Sequence, residues 1–108
     1  MTNYSLKNLA SKIEFEPEDF AELLELFLDT TDLDLTNISS AIAISDKDLI
    51  SRYVHNIKGA SLNLGLEIIT ELMERISKLN KSGLYSDIEE IVSRLRTEIS
   101  TLRKILEE

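Results

Sequence analysis

The one histidine of the chain lies in a short run of residues that could carry a phosphoryl group. His55 is followed by Lys58 three residues later and by Gly59 four residues later. On a helix, residues three and four apart are neighbours on one surface. An imidazole can act as a nucleophile that holds a covalent intermediate, and it is mostly neutral at cytoplasmic pH. A phosphoryl group would add negative charge, which the Lys58 ammonium could offset. The spacing therefore predicts a phosphoryl-accepting site.

Gly59 and Leu62 indicate that a second surface approaches this histidine. A glycine within a helix destabilises it by about 1 kcal/mol relative to alanine, and it usually has a packing or functional reason. At about 100° per residue, His55, Gly59 and Leu62 face away from the apolar stripe that contains Ile50 and Val54. We expect the missing side chain to give a partner access to the imidazole, with Leu62 in the docking patch. Taken singly, each residue could be an ordinary exposed position.

Other chemistries lack the residues they need. With one His and no Cys, the chain offers neither a zinc site nor a disulfide or thiolate site. No glycine-rich loop with the spacing G-x-x-x-x-G-K-[ST] is present, so an ATP site of that kind is excluded. We therefore expect a phosphocarrier and not an enzyme: a chain that accepts and passes on a phosphoryl group, without a cofactor of its own.

Composition narrows the class of partner. The 108 residues carry a net charge of −8, from 20 acidic and 12 basic side chains. Such a balance argues against nucleic acid and against anionic lipid, both of which require a basic surface. No apolar run approaches the roughly 20 residues that cross a bilayer, and the amino terminus lacks a secretory signal. We expect a cytoplasmic protein folded as a single domain over residues 1–108.

Helices must position the site, because the chain contains only three Gly and one Pro and few strand-like alternations. Ser5 is expected to cap a short first helix. Pro17 fits the first turn of a second helix, which would run to about Ile44 with a bend possible near residues 29–32.

Three further helices are predicted beyond this point. Ser45 or Asp46 would cap the helix that carries the site, and Gly65 would end it in a left-handed turn. A fourth helix is expected to end near residues 80–83. Ser86 and Glu89 then have the spacing of a capping box for the last helix.

Each long helix carries a stripe of residues that recur mostly three and four apart and are apolar except for Ser61, as core-facing stripes are. These residues are Phe20, Leu24, Phe27, Leu35, Ile38 and Ile42; Ile50, Tyr53, Val54, Ile57, Ser61 and Leu64; Ile69, Leu72, Ile76 and Leu79; and Ile88, Val92, Leu95, Ile99, Leu102 and Leu106. The pattern predicts an all-α fold: an antiparallel four-helix bundle with a short additional N-terminal helix.

The run from His55 to Gly65, HNIKGASLNLG, closely resembles the histidine-containing phosphotransfer (HPt) domains of phosphorelays. Their pattern is roughly H-x-[LI]-K-G-[SA]-[SA]-x-x-[LVI]-G. The specific part of the resemblance is this short run, while the helical layout matches over essentially the whole domain.

The resemblance implies a carrier whose exposed histidine takes a phosphoryl group from a receiver-domain aspartate and passes it to a second receiver. By position, His55 would be phosphorylated, Lys58 would stabilise the phosphoryl charge and Gly59 would leave space. Many relatives have a Gln on the next helix that hydrogen-bonds the imidazole. Here Ser77 takes that position, and its shorter hydroxyl would reach the imidazole only through water.

The resemblance also implies the partners. They are response-regulator receiver domains, with a hybrid sensor histidine kinase as a further candidate, and any Mg²⁺ would sit on the receiver. The further candidate binding residues of this chain are Ser51, Arg52, Leu62 and Ser77. The carrier is expected to act as a monomer.

Two alternatives remain open at this stage. The chain could be the phosphoacceptor domain excised from a larger histidine kinase, of hybrid or chemotaxis type. The chemistry at His55 would be unchanged, but ATP would be the donor through a separate catalytic domain. Alternatively, the chain could be a non-catalytic helical interaction module in which His55 is incidental. In that case a His55→Gln substitution would leave partner binding unchanged.

Overall fold

Five helices follow one another along residues 5–107, the part of the chain that the computed structural model describes. They are α1 (Leu6–Lys12), α2 (Pro17–Ala43), α3 (Lys47–Asn63), α4 (Glu67–Lys81) and α5 (Tyr85–Leu106). The predicted all-α class is confirmed. The expectation that no secretory signal is present concerns the amino terminus, and residues 1–4 lie outside the described range.

The four long helices pack in a ring. α2 contacts α3, α3 contacts α4, α4 contacts α5, and α5 closes the ring against α2. Three-residue connections join the consecutive long helices, so neighbours run antiparallel. The short α1 packs against α2 and covers one end, where the Lys12 ammonium contacts the Gly65 carbonyl oxygen at 3.2 Å and the Glu67 carboxylate at 2.8 Å. The predicted bundle with an additional N-terminal helix is confirmed.

Most of the predicted helix boundaries hold, for the expected chemical reasons. The Ser5 hydroxyl accepts a hydrogen bond from the Asn8 backbone N–H, and Pro17 occupies the first turn of α2. Asp46, rather than Ser45, caps α3: its carboxylate accepts from the Leu49 backbone N–H at 3.0 Å.

The glycines after α3 and α4 end those helices in left-handed turns. Gly65 has a φ of 70° and Gly83 a φ of 69°. After α3, the Gly65 and Leu66 N–H groups donate back to the Leu62 and Ser61 carbonyls. That pair of bonds is a Schellman turn, which satisfies the last carbonyls of the helix.

The capping box predicted at Ser86 and Glu89 is wrong. α5 begins at Tyr85, and Leu84 precedes it without any side-chain cap. The turn at Gly83 starts the new helix early, so both predicted cap residues lie inside α5. Glu89 instead accepts a hydrogen bond from the Ser39 hydroxyl of α2 at 3.4 Å.

α2 continues as one helix through residues 29–32, where the sequence allows a bend, and ends at Ala43. The two aspartates of this stretch have a partner on α5: the Arg103 guanidinium donates to Asp29 at 3.0 Å and to Asp32 at 2.6 Å. Those bonds hold Asp29 and Asp32 in helical positions despite their low intrinsic propensity.

The predicted stripes meet in one core. Twenty-four apolar residues of the described range are buried there, including most of the stripe residues. Ile42, Tyr53, Leu79 and Leu106 are only partly buried. At the end of α5 the buried residue is Ile105, three positions after Leu102, and not Leu106, which lies four positions after it.

Candidate functional site

His55 lies at the surface of α3, on the side opposite the core. Ile50, Val54, Ile57 and Ser61 are the buried residues of this helix. Since each step turns the helix by about 100°, the residue after Val54 points outward. The solvent-facing orientation predicted for His55 is therefore present in the structure.

Five candidate residues share the outward face with His55. Viewed down the helix axis, Ser51, Arg52, Lys58, Gly59 and Leu62 all lie within about 60° of it. Ser51, Arg52 and Gly59 are exposed, Lys58 is partly exposed, and Leu62 retains 65% of its surface. α3 thus brings together on one face the candidate residues that the sequence placed on it.

Gly59 meets no packing constraint within the described part of the chain. A Cβ atom built at this position would find no atom within 4 Å beyond its own helix and neighbours. No intramolecular contact therefore explains why a helix position carries glycine, and the open surface beside His55 leaves room for an approaching molecule.

Lys58 has a partner that the sequence did not indicate. Its ammonium lies 3.5 Å from a carboxylate oxygen of Glu74 on α4, and the two side chains are 40% and 53% exposed. Sixteen residues separate the pair, so no helical spacing could have suggested it. Only the packing of α3 on α4 brings the two side chains together.

A hydrogen bond beneath the surface aligns α3 with α4. The hydroxyls of Ser61 and Thr70 lie 2.8 Å apart, in a partly buried position. Lys58 and Glu74 follow about one turn further along the antiparallel pair. By the same step, Ser77 falls near the level of His55. Ser77 is partly buried, and among residues 5–107 no hydrogen bond joins it to the imidazole.

A groove between α2 and α3 lies beside the site. It encloses about 550 Å³. Leu23, Leu26 and Asp34 line it from α2, and Asn56 and Ala60 line it from α3. Asn56 follows His55 in the chain but points about 100° away around the helix. The groove therefore flanks the face that carries His55, and His55 itself does not line it. Sequence reasoning missed this groove. The apolar residues of α2 can be identified from the sequence, but the space between α2 and α3 depends on how the two helices pack.

Asp34 is the charged group of this groove. Partial burial raises the pKa of the Asp34 carboxyl above its ordinary value. The other lining residues are uncharged and mostly apolar. A ligand of this groove would therefore meet a largely apolar surface with one acidic group.

Residues 5–107 contain neither a metal-binding cluster nor a membrane-spanning helix. No cluster of three or more His, Cys, Asp or Glu side chains is arranged to hold a metal ion. No helix in this range is both long and apolar enough to cross a membrane. The expectation that the chain carries no cofactor stays a prediction.

Comparison with known proteins gives one result. The family model described as Hpt domain matches residues 22–105, which is well over half of the chain and includes the whole of α3 and α4. Searches of curated proteins and of solved structures gave no match.

Proposed function

Because the chain belongs to the Hpt domain family, whose members are phosphocarriers in two-component systems, we propose that His55 is its phosphorylated residue. It accepts the group from a receiver aspartate and passes it to another. The observation that carries the proposal is the position of the imidazole: it is exposed on α3 in the matched region, with an ammonium one turn along and open space above Gly59.

The transfer needs little from this chain. A neutral ring nitrogen of His55 attacks the phosphorus of the receiver's aspartyl phosphate. The phosphorus–oxygen bond breaks, its electron pair stays with the aspartate, and the other ring nitrogen keeps its proton. The product is a phosphoimidazolium, and no proton leaves. The reverse sequence, onto a second aspartate, discharges the carrier. Mg²⁺ in this reaction belongs to the receiver.

Each neighbour of His55 has a proposed role. The Lys58 ammonium stabilises the added phosphoryl charge. Gly59 lets the receiver approach the imidazole. Leu62 on one side, and the α2–α3 groove on the other, offer apolar surface against which a receiver can dock. Ser51, Arg52 and Ser77 lie around this surface. The exchange takes place in the cytoplasm between a monomeric carrier and its receivers.

Phosphotransfer from a panel of phosphorylated receiver domains tests the proposal. Wild-type protein is expected to gain an acid-labile, base-stable label, and His55→Gln is expected to gain none. The variant is a fair control because the side chain is exposed and no core contact is lost. Label on both proteins, or on neither, contradicts the proposed exchange with receivers.

A histidine-kinase catalytic domain with ATP provides a second arm. Label from this source, with none from any receiver, would indicate the phosphoacceptor domain of a larger kinase. If both arms fail, the helical interaction module without phosphotransfer remains. Partner binding that is insensitive to His55→Gln would then support that module.

A further inference from the structure

The cation beside His55 already has an anionic neighbour. Glu74 approaches Lys58 from α4, with 3.5 Å between the ammonium nitrogen and the carboxylate oxygen. A phosphoryl group on the histidine would require the same ammonium. Two negative groups would then share one cation.

The pairing is built into the bundle but remains exchangeable. The Ser61–Thr70 hydrogen bond fixes the register of α3 on α4 one turn away. Register therefore sets where the Glu74 carboxylate lies. Both members of the pair are near half-exposed, and exposed ion pairs are weak. Lys58 can leave Glu74 when a more strongly charged group appears nearby.

We propose that Glu74 is a positioning residue that competes with the phosphoryl group for Lys58 and thereby lowers the phosphoryl affinity of His55. The inference rests on the proposed function of His55. A carrier must release its group as readily as it accepts it. By pairing with the Lys58 ammonium, Glu74 keeps the phosphorylated state from becoming too stable to discharge.

The test measures how much of the protein is phosphorylated at equilibrium. Phosphoramidate serves as the donor, so no receiver is needed. The imidazole–phosphorus bond forms, the phosphorus–nitrogen bond of the donor breaks, and ammonia leaves. At fixed phosphoramidate and ammonia concentrations, ³¹P NMR measures the phosphohistidine, and subtracting it from the known total protein gives the ratio of phosphorylated to free protein. Glu74→Gln is expected to raise this ratio roughly two- to fivefold, the range open to an exposed pair.

A double-substitution cycle separates this role from a structural one. Lys58→Ala is expected to lower the ratio, and the gain from Glu74→Gln is expected to be largely lost in the Lys58→Ala background. Glu71→Gln is the matched control. It removes the same charge one turn earlier on α4, at a residue that makes no ion pair with Lys58 in the described structure.

Three results would overturn the proposal. One is an unchanged ratio in Glu74→Gln. Another is an equal gain with Lys58 absent, which would indicate direct repulsion. The third is an equal gain in Glu71→Gln, which would indicate net charge alone. The proposed function fails separately, when phosphoramidate labels His55 but no receiver does. No label on the wild type from phosphoramidate would overturn the proposal for Glu74 alone, because the receiver panel tests His55 independently.

Discussion

At the scale of single residues, the site depends on what is missing at Gly59 as much as on what is present at His55. Gly59 lies inside α3 with a helical backbone and open space where a side chain would point. Gly65, six residues later, has a φ of 70° and is bordered by Ile13. The two glycines therefore serve different purposes, and the same substitution should separate them.

Gly59→Ala is expected to stabilise the fold by up to about 1 kcal/mol, because alanine is the better helix former and meets no clash. Urea unfolding at equilibrium measures the change. Gly65→Ala is the comparison: its Cβ would lie 3.1 Å from the Ile13 side chain, on a backbone that alanine rarely adopts. It should destabilise the protein. Equal effects at both positions would contradict the distinction.

A long side chain at position 59 tests access. Gly59→Gln is expected to reduce receiver-dependent labelling of His55 at least tenfold, about the effect of a 1.4 kcal/mol loss of docking. Phosphoramidate, being small, should still label the variant. A parallel loss with both donors would show that the side chain disturbs His55 itself and not the approach of a partner.

The chemistry of the site was readable from the sequence only where it depends on one helix. His55, Lys58, Gly59 and Leu62 could be placed on one face because helical spacing fixes their relative angles. Glu74 could not, since its relation to Lys58 depends on how α4 packs against α3. Asp34 and the groove were missed for the same reason.

At the scale of elements, helix ends show which local signals decide. Asp46 has a partner for its carboxylate in the Leu49 N–H, whereas Ser86 has the right spacing but lies inside α5. The difference comes from the preceding turn: Gly83 reverses the chain so tightly that α5 begins at Tyr85. The sequence indicated that a helix follows Gly83, but its first residue depends on turn geometry.

Asp46→Ala is therefore expected to destabilise the protein by about 1 kcal/mol, the usual loss for an N-cap. Ser86→Ala should change the free energy of unfolding by less than about 0.5 kcal/mol, as surface substitutions commonly do. Both values come from urea titrations of the two variants against wild type. A loss at Ser86 as large as that at Asp46 would restore the capping box that the structure contradicts.

At the scale of the whole molecule, the ring of four helices explains why most of the core was predictable. Each long helix turns one stripe inward, so helical period alone identifies most buried positions. The polar bonds between helices were not predictable. Arg103 to Asp29 and Asp32 joins α5 to α2, and Asn80 of α4 donates to the Lys47 carbonyl of α3 at 2.9 Å. These bonds depend on the order of the ring.

The pH dependence of stability should show the raised pKa of Asp34. Burial makes the folded protein hold this proton to higher pH than the unfolded chain does. Ionisation therefore favours unfolding: the penalty is absent below the ordinary value of 3.8, grows as pH rises through the folded pKa, and is constant above it. Asp34→Asn removes the penalty. We expect a small gain in unfolding free energy at neutral pH that disappears in acid.

Urea titrations at neutral and acidic pH measure this gain. Glu25→Gln, an exposed position of α2, removes one negative charge without the burial and serves as the control. A gain in Asp34→Asn that persists unchanged below pH 3.8, or an equal gain in Glu25→Gln, would contradict a burial effect at Asp34.

The exposure of His55 also has a consequence in time. A phosphoryl group at the surface is open to water as well as to a receiver, and hydrolysis would empty the carrier without any enzyme. The phosphorylated state would then have a limited lifetime, and the signal it carries would decay unless the donor phosphorylates the chain again. That lifetime would be set by the same open surface through which partners would deliver and remove the phosphoryl group.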